Sequence, residues 1–233
     1  MEPGKYAELD QARGSLKFMV TLFFIFFFVA IFIVFIFTSV LQVNTLTEYI
    51  CSQVGLPTLR QAAELVDGES FEKLTRTMDS GDPYYDKTRL ALKELKERTG
   101  SRFIYTMAPK EGSVFFYIVD GGDPGETGFS ELGDEEDIGE WDDAALATFR
   151  TGEVHVGALS IDPDWGWTLS AYGPIISGGE TIGIVAVDLD SEPIMRYIRT
   201  QVFWQAAVVA AATLFGLLIY LLIRRRIGKL APE

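Results

Sequence analysis

Residues 165–189 read WGWTLSAYGPIISGGETIGIVAVDL, two runs of β-branched, aromatic and small apolar residues on either side of Ser177-Gly178-Gly179. Glycine accepts the positive φ that a tight hairpin turn demands, so the stretch predicts antiparallel strands at 165–176 and 180–189. Upstream, 153–161 predicts a third strand. Two more, 102–108 and 113–120, are joined by Pro109-Lys110-Glu111-Gly112, a second hairpin signal. Between these pairs, 120–143 is Gly-rich and acidic with few apolar residues, among them Phe129, Leu132, Ile138 and Trp141, and reads as a long loop before a short helix at 144–150.

Before Gly100 the apolar period is helical. Leu46, Tyr49, Ile50 and Val54 form one stripe and Leu59, Ala62, Ala63 and Val66 another, with Gly55-Leu56-Pro57 bending or interrupting the helix where the register shifts. Ser70 is placed to cap a short helix through Met78. Asp82 or Pro83 opens the next, 84–98, with Ala91, Leu92 and Leu95 inward, and Gly100 ends it. Past the last strand Ser191 is placed to cap an exit helix, and Asp188 and Asp190 read as helix-capping groups. The sum is an α+β domain: one antiparallel sheet of five strands with a long N-terminal helix.

Outward again lie two uncharged apolar stretches, 18–41 and 202–223. Each exceeds the roughly 20 residues a helix needs to cross a ~30 Å hydrocarbon layer. The expected layout is a cytoplasmic N-terminus at 1–17, transmembrane helix 1 at 18–41, an extracytoplasmic domain at 42–201, transmembrane helix 2 at 202–223, and a second cytoplasmic segment from 224 to 233. Lys5, Arg13, Lys17, Arg224, Arg225, Arg226 and Lys229 flank the two predicted cytoplasmic ends, against Arg196 and Arg199 outside, so both termini are expected in the cytoplasm and the chain in the plasma (inner) membrane. A cleaved signal peptide is the alternative for the first stretch, but its apolar run is too long and no small-x-small site follows. Ala207/Ala211 and Ala212/Gly216 repeat at four-residue spacing, which marks the second span for close helix packing. The short tail after it suggests that more sequence follows.

The chain carries a formal charge of −13. The predicted cytoplasmic ends together are net basic, so the external block is more acidic than the total, which argues against nucleic acid as a partner. With one cysteine, Cys51, no intrachain disulfide exists; a thiol near the base of the outer helix is expected to crosslink two copies under oxidation. With one histidine, His155, no multi-histidine metal site can form, and on a strand it reads as a packed or surface side chain. The acidic run Gly133-Asp134-Glu135-Glu136-Asp137 lacks the alternating spacing of a calcium loop and reads as a solvated face. No cofactor, metal or catalytic residue is expected, and no enzymatic activity in this region.

Gly100-Ser-Arg-Phe-Ile-Tyr-Thr-Met-Ala-Pro-Lys-Glu-Gly112, Tyr117-Ile-Val-Asp-Gly-Gly122, Asp164-Trp-Gly-Trp167, Ser170-Ala-Tyr-Gly-Pro-Ile175 and Gly183-Ile-Val-Ala-Val-Asp188 together resemble the extracytoplasmic Cache (PAS-like) sensor domains of bacterial methyl-accepting chemotaxis receptors, diguanylate cyclases and sensor kinases. The resemblance covers about 44–190. It implies a domain that binds a small extracellular molecule, often a carboxylate or amino-acid-like compound, on one sheet face beneath the long loop. Arg226, Ile227 and Pro232 resemble the opening of a HAMP relay, with the proline later than that pattern places it.

Period-two alternation puts Phe103, Tyr105 and Met107 on one face of their strand, Phe115 and Tyr117 on one face of the next, and Thr168, Ser170 and Tyr172 together on another. A ligand cavity needs apolar walls and a few converging polar groups, which Tyr105, Tyr117, Ser170 and Tyr172 supply. Arg102 is the cation nearest to them for a ligand carboxylate, and Trp167 is a lid or anchor. The expected function is a transmembrane receptor input, chemotaxis foremost, acting as a homodimer with cytoplasmic signalling proteins as partners of a downstream region. The alternative is a membrane-anchored docking protein whose external domain binds another protein.

Overall fold

The computed structural model describes residues 3–139, 143–162 and 166–229. Trp141, Asp164, Trp165 and Pro232, which entered the reading above, lie outside them. The chain divides into two compact units, 45–195 and a second made of 1–44 with 196–233.

Helix α1 (Pro3–Ile50), whose last residues from Thr45 belong to the larger unit, passes into a π-helical turn (Cys51–Gly55) and then α2 (Leu56–Leu65). The helix is not broken at Gly55-Leu56-Pro57; the proline falls in the first turn of α2, just past five residues wound more widely than an α-helix. Helix α3 (Gly68–Thr77) is capped by Asp67, whose carboxylate accepts from the Ser70 amide at 2.9 Å, and not by Ser70. An N-cap must precede the first helical residue, and Ser70 is already inside the first turn. Helix α4 (Pro83–Thr99) starts on Asp82, which accepts from the Tyr84 amide, and stops on left-handed Gly100.

The sheet has seven strands where the sequence suggested five. They are β1 (Ser101–Glu111), β2 (Val114–Asp120), β3 (Glu135–Asp137), β4 (His155–Val156), β5 (Ser160–Asp162), β6 (Gly166–Ser177) and β7 (Glu180–Asp190), with helix α5 (Asp143–Thr151) between β3 and β4. The order is β3-β2-β1-β7-β6-β4, with β5 also pairing on β6, and every pairing is antiparallel. The predicted third strand is thus two short pieces. The acidic loop yields the added strand β3: Glu135, Glu136 and Asp137 pair with Phe116, Phe115 and Val114. The first hairpin turns two residues later than expected, at Gly112-Ser113, because Pro109 continues in β1 opposite Phe115. Pairing with β7 ends at Met107, so the proline sits where one edge of β1 is open and its missing N–H costs no ladder bond. The β6–β7 turn is the expected Gly178-Gly179, at φ 58° and 88°.

Two layers cover the sheet. On one face lie Phe71 and Leu74 of α3, Leu59 and Ala62 of α2, and Leu92 and Leu95 of α4, each at most 1% exposed. A Cβ on Gly183 would fall 2.6 Å from the Met107 carbonyl oxygen and 2.7 Å from the Phe71 ring, so only glycine lets α3 approach there. The other face carries α5. Cys51, expected to be open to a partner copy, is 5% exposed within its own unit. Asp190, not Ser191, supplies the side-chain cap of the exit helix α6 (Glu192–Lys229), accepting from the Glu192 amide at 3.1 Å.

The smaller unit holds the apolar lengths of α1 and α6. Both are long and apolar enough to cross a membrane, with mean hydropathy of 3.2 and 2.5 in their most apolar windows. They are joined by polar contacts at two levels. Thr21 shares a hydroxyl bond with Tyr220 at 2.9 Å, and Gln205 bonds Ser39 and Gln42. Gly216 is buried against the Phe28 ring, so the Ala212/Gly216 side of α6 meets α1, whereas Ala207 and Ala211 are exposed.

Candidate functional site: the α5 face of the sheet

Cross-strand register assembles the site. Tyr105 of β1 stands opposite Ala186 of β7, and Ala186 opposite Tyr172 of β6, which in turn faces His155 of β4. The small alanine between the two tyrosines is itself fully buried. One pair further along, Phe103 stands opposite Asp188 and Asp188 opposite Ser170. Since side chains two residues apart share a face, Tyr105, Phe103, Asp188, Ser170 and Tyr172 form one patch. The Tyr117 ring packs 5.3 Å from that of Tyr105. Helix α5 roofs the patch with Ala145 and Leu146, and its Phe149 meets Phe115 edge-on at 5.2 Å.

Polar groups in this layer are buried. Tyr172 is 0% exposed, Ser170 7% and Asp188 8%. Burial, followed by the charges of Glu136, Asp188 and Asp120, pushes the Tyr117 phenol well above its ordinary range, and the Ser130 hydroxyl bonded to it pulls the other way. Tyr117 is therefore neutral and able to donate. Burial also raises Asp120, against the pull of the Ser130 and Gly122 amides. Those two amides, at 3.1 and 2.7 Å from its carboxylate oxygens, close the loop after β2 on itself. Arg89 donates to the Gly122 carbonyl at 3.0 Å, and Lys93 pairs with Asp123, so α4 holds the loop from outside. A Cβ on Gly121 would crowd the Ile104 carbonyl and the Leu92 backbone, which is why the chain can leave β2 so close to α4.

The predicted site residues divide. Tyr105, Tyr117, Ser170 and Tyr172 come together under α5. Trp167 is half-buried and, by alternation along β6, shares the face of Leu169 and Ala171, opposite Ser170. Arg102 sits at a register slip in the β1–β7 pairing with its guanidinium 5.4 Å over the Phe103 ring. By sequence Asp188 belongs among the helix-capping groups. It lies instead on the tyrosine face, and the period-two step from Ile184 through Ala186 to Asp188 was the signal that could have found it. His155 has a structural position: its Nδ1 is 3.0 Å from the Glu153 carbonyl oxygen and 3.3 Å from Thr148 Oγ1, linking β4 to α5. Among the described residues no three His, Cys, Asp or Glu side chains cluster to hold a metal ion.

No family model matches the chain, and no curated protein does. Solved structures do resemble it. One is the ligand-binding domain of the Campylobacter jejuni chemoreceptor Tlp3 in complex with L-valine, at 10% identity and a TM-score of 0.43, covering 85% of this chain and 68% of that one. A second is the sensor domain of the V. cholerae histidine kinase DctB, at 14% identity and 0.49 over 68% of this chain and 56% of that. A third is the E. coli DcuS sensor domain, at 15% identity and 0.40 over 69% and 97%. These three structures are themselves sensor or ligand-binding domains.

Proposed function

We propose that this chain is the input module of a two-span transmembrane receptor, whose external domain binds a small molecule bearing a cationic nitrogen on the α5 face of the sheet. The observation that carries this reading is the patch of Tyr105, Tyr117 and Tyr172 around the buried carboxylate of Asp188. Aromatic faces and a carboxylate in a water-poor layer favour an ammonium group electrostatically, and hydroxyls orient what is attached to it. Amino acids and small amines fit this chemistry. In this reading Tyr105, Tyr117, Ser170, Tyr172 and Asp188 contact the ligand, Arg102 is available to a carboxylate at the rim, and Trp167 acts from behind the sheet. The ligand favours one of two arrangements of sheet, loop and α5, and the bias passes through the outer helices to a cytoplasmic output, with a chemotaxis receptor as the leading type. Both termini then lie in the cytoplasm, and two copies act together.

The test is thermal stabilisation of residues 43–199 by a panel of amino acids, aliphatic amines and dicarboxylates. A ligand at one hundred times its Kd adds about 2.7 kcal/mol. At about 2–4 °C per kcal/mol for a unit of this size, that is roughly 5–11 °C. Stabilisation by ammonium-bearing members alone is expected. Stabilisation by dicarboxylates alone would overturn the proposed ligand class, and no response to any small molecule would favour the docking-protein reading.

A further inference from the structure

The turn Cys51–Gly55 holds a hydrogen bond from the Leu56 amide to the Cys51 carbonyl, five residues back, where an α-helix reaches back four. The backbone is helical on both sides, with φ/ψ of −66°/−44° at Ile50, −60°/−57° at Gly55 and −65°/−41° at Leu56. Nothing here is a hinge, so the turn differs from its flanks only in register. Two of its residues are buried, Cys51 and Gly55, while Ser52, Gln53 and Val54 are exposed. The Cβ position of Gly55 lies 3.5 Å from the Leu189 side chain and 3.8 Å from Ala171. Leu189 and Ala171 are the neighbours in sequence of Asp188 and Ser170 and point to the opposite face. The turn therefore sits on the back of the two strands that carry the candidate site.

We propose that this π-helical turn is a two-register switch between the sensor sheet and α1. In the observed register it accommodates an extra residue. Rewinding it to α while α2 stays seated turns and shifts all of the helix upstream by about one residue, roughly 100° and 1.5 Å. Pro57 keeps the two registers close in energy, because its missing amide and its ring penalise an ideal α-ladder across this turn. Movement of β6 and β7 at Ala171 and Leu189 selects between them. The coupling to a ligand rests on the function proposed above; the register change does not, and it is tested without any ligand.

Cys51 is the only thiol in the chain, 5% exposed, and burial pushes its pKa up, so it is unreactive in the observed register. Rewinding carries it out of its buried position. The full chain in lipid nanodiscs is treated with a membrane-impermeant maleimide across a urea series below the unfolding transition. The expected result is labelling with a weak urea dependence, far below that of global unfolding. Deleting Ser52 leaves only the α register with both flanks seated, and labelling should slow at least tenfold. Pro57→Ala, which needs no change in chain length, should speed it. Labelling of the parent only with the full urea dependence of unfolding, a deletion variant that folds and labels as fast as the parent, or a Pro57→Ala rate no higher than the parent's would each overturn the switch.

Discussion

Replacing Asp188 by Asn separates binding from stability at one position. The side chain is 8% exposed and lies between Phe103 and Ser170 in the register of the sheet. Asn keeps its volume and most of its hydrogen-bonding capacity but removes the charge. A hydrogen bond to a charged partner contributes about 1.5–3 kcal/mol, so affinity for an ammonium-bearing ligand should fall roughly 10- to 150-fold. Stability should not follow, because a buried carboxylate is costly to desolvate and the amide is cheaper. The expected pair of results is an unchanged or higher Tm without ligand and a lost ligand-induced shift, read by thermal unfolding and calorimetric titration of the same samples. Asp188→Asn that binds an amine as tightly as the parent would refute the reasoning. A collapse in Tm would show instead that the carboxylate is structural.

Other perturbations address the rest of the architecture. Gly183→Ala puts a methyl group against the Met107 carbonyl and the Phe71 ring and should cost about 1–3 kcal/mol, seen as a lower urea midpoint with binding retained. Tyr172→Phe and Ser170→Ala should each weaken a bound amino acid by ~1–3 kcal/mol in calorimetry while leaving the circular dichroism unchanged. The caps Asp67 and Asp82 have lowered pKa values, the first through its bonds to Ser70 and the second through Lys73 and then the Tyr84 amide. Carboxylates held below their unfolded values add stability above the unfolded pKa and lose it as pH falls through the folded one, so Tm should drop below about pH 4. Asp67→Ala combined with Asp82→Ala should flatten that drop.

Much of this architecture is legible in the sequence because it is local. Gly178-Gly179 can only be a turn of positive φ, Asp82-Pro83 and Gly100 bracket α4, and alternation sorts the faces of β1, β2 and β6. What escaped is set by pairing rather than propensity. Glu135-Glu136-Asp137 has no strand preference of its own; β2 offers it an edge, and Lys110 holds Glu135 at 2.5 Å. Pro109 resembles a turn residue and is tolerated as a strand residue because the β1–β7 pairing has already ended at Met107. Asp188 reads with Asp190 as a cap, whereas the register puts it opposite Phe103 and Ser170 and Asp190 caps the helix. The wide turn at Cys51 had no signature beyond the proline after it. Its register depends on seating both α2 and the buried Cys51, which no local pattern records.

The central claim is that the α5 face of the sheet is the ligand site. It is tested most directly by recording amide and aromatic NMR spectra of residues 43–199 while titrating an amine or amino acid that raises their Tm. The account predicts saturable shifts concentrated on Tyr105, Tyr117, Ser170, Tyr172, Asp188 and α5. Saturable shifts confined to the opposite face, at α2, α3 and Phe71, with the tyrosine resonances unmoved, would contradict it.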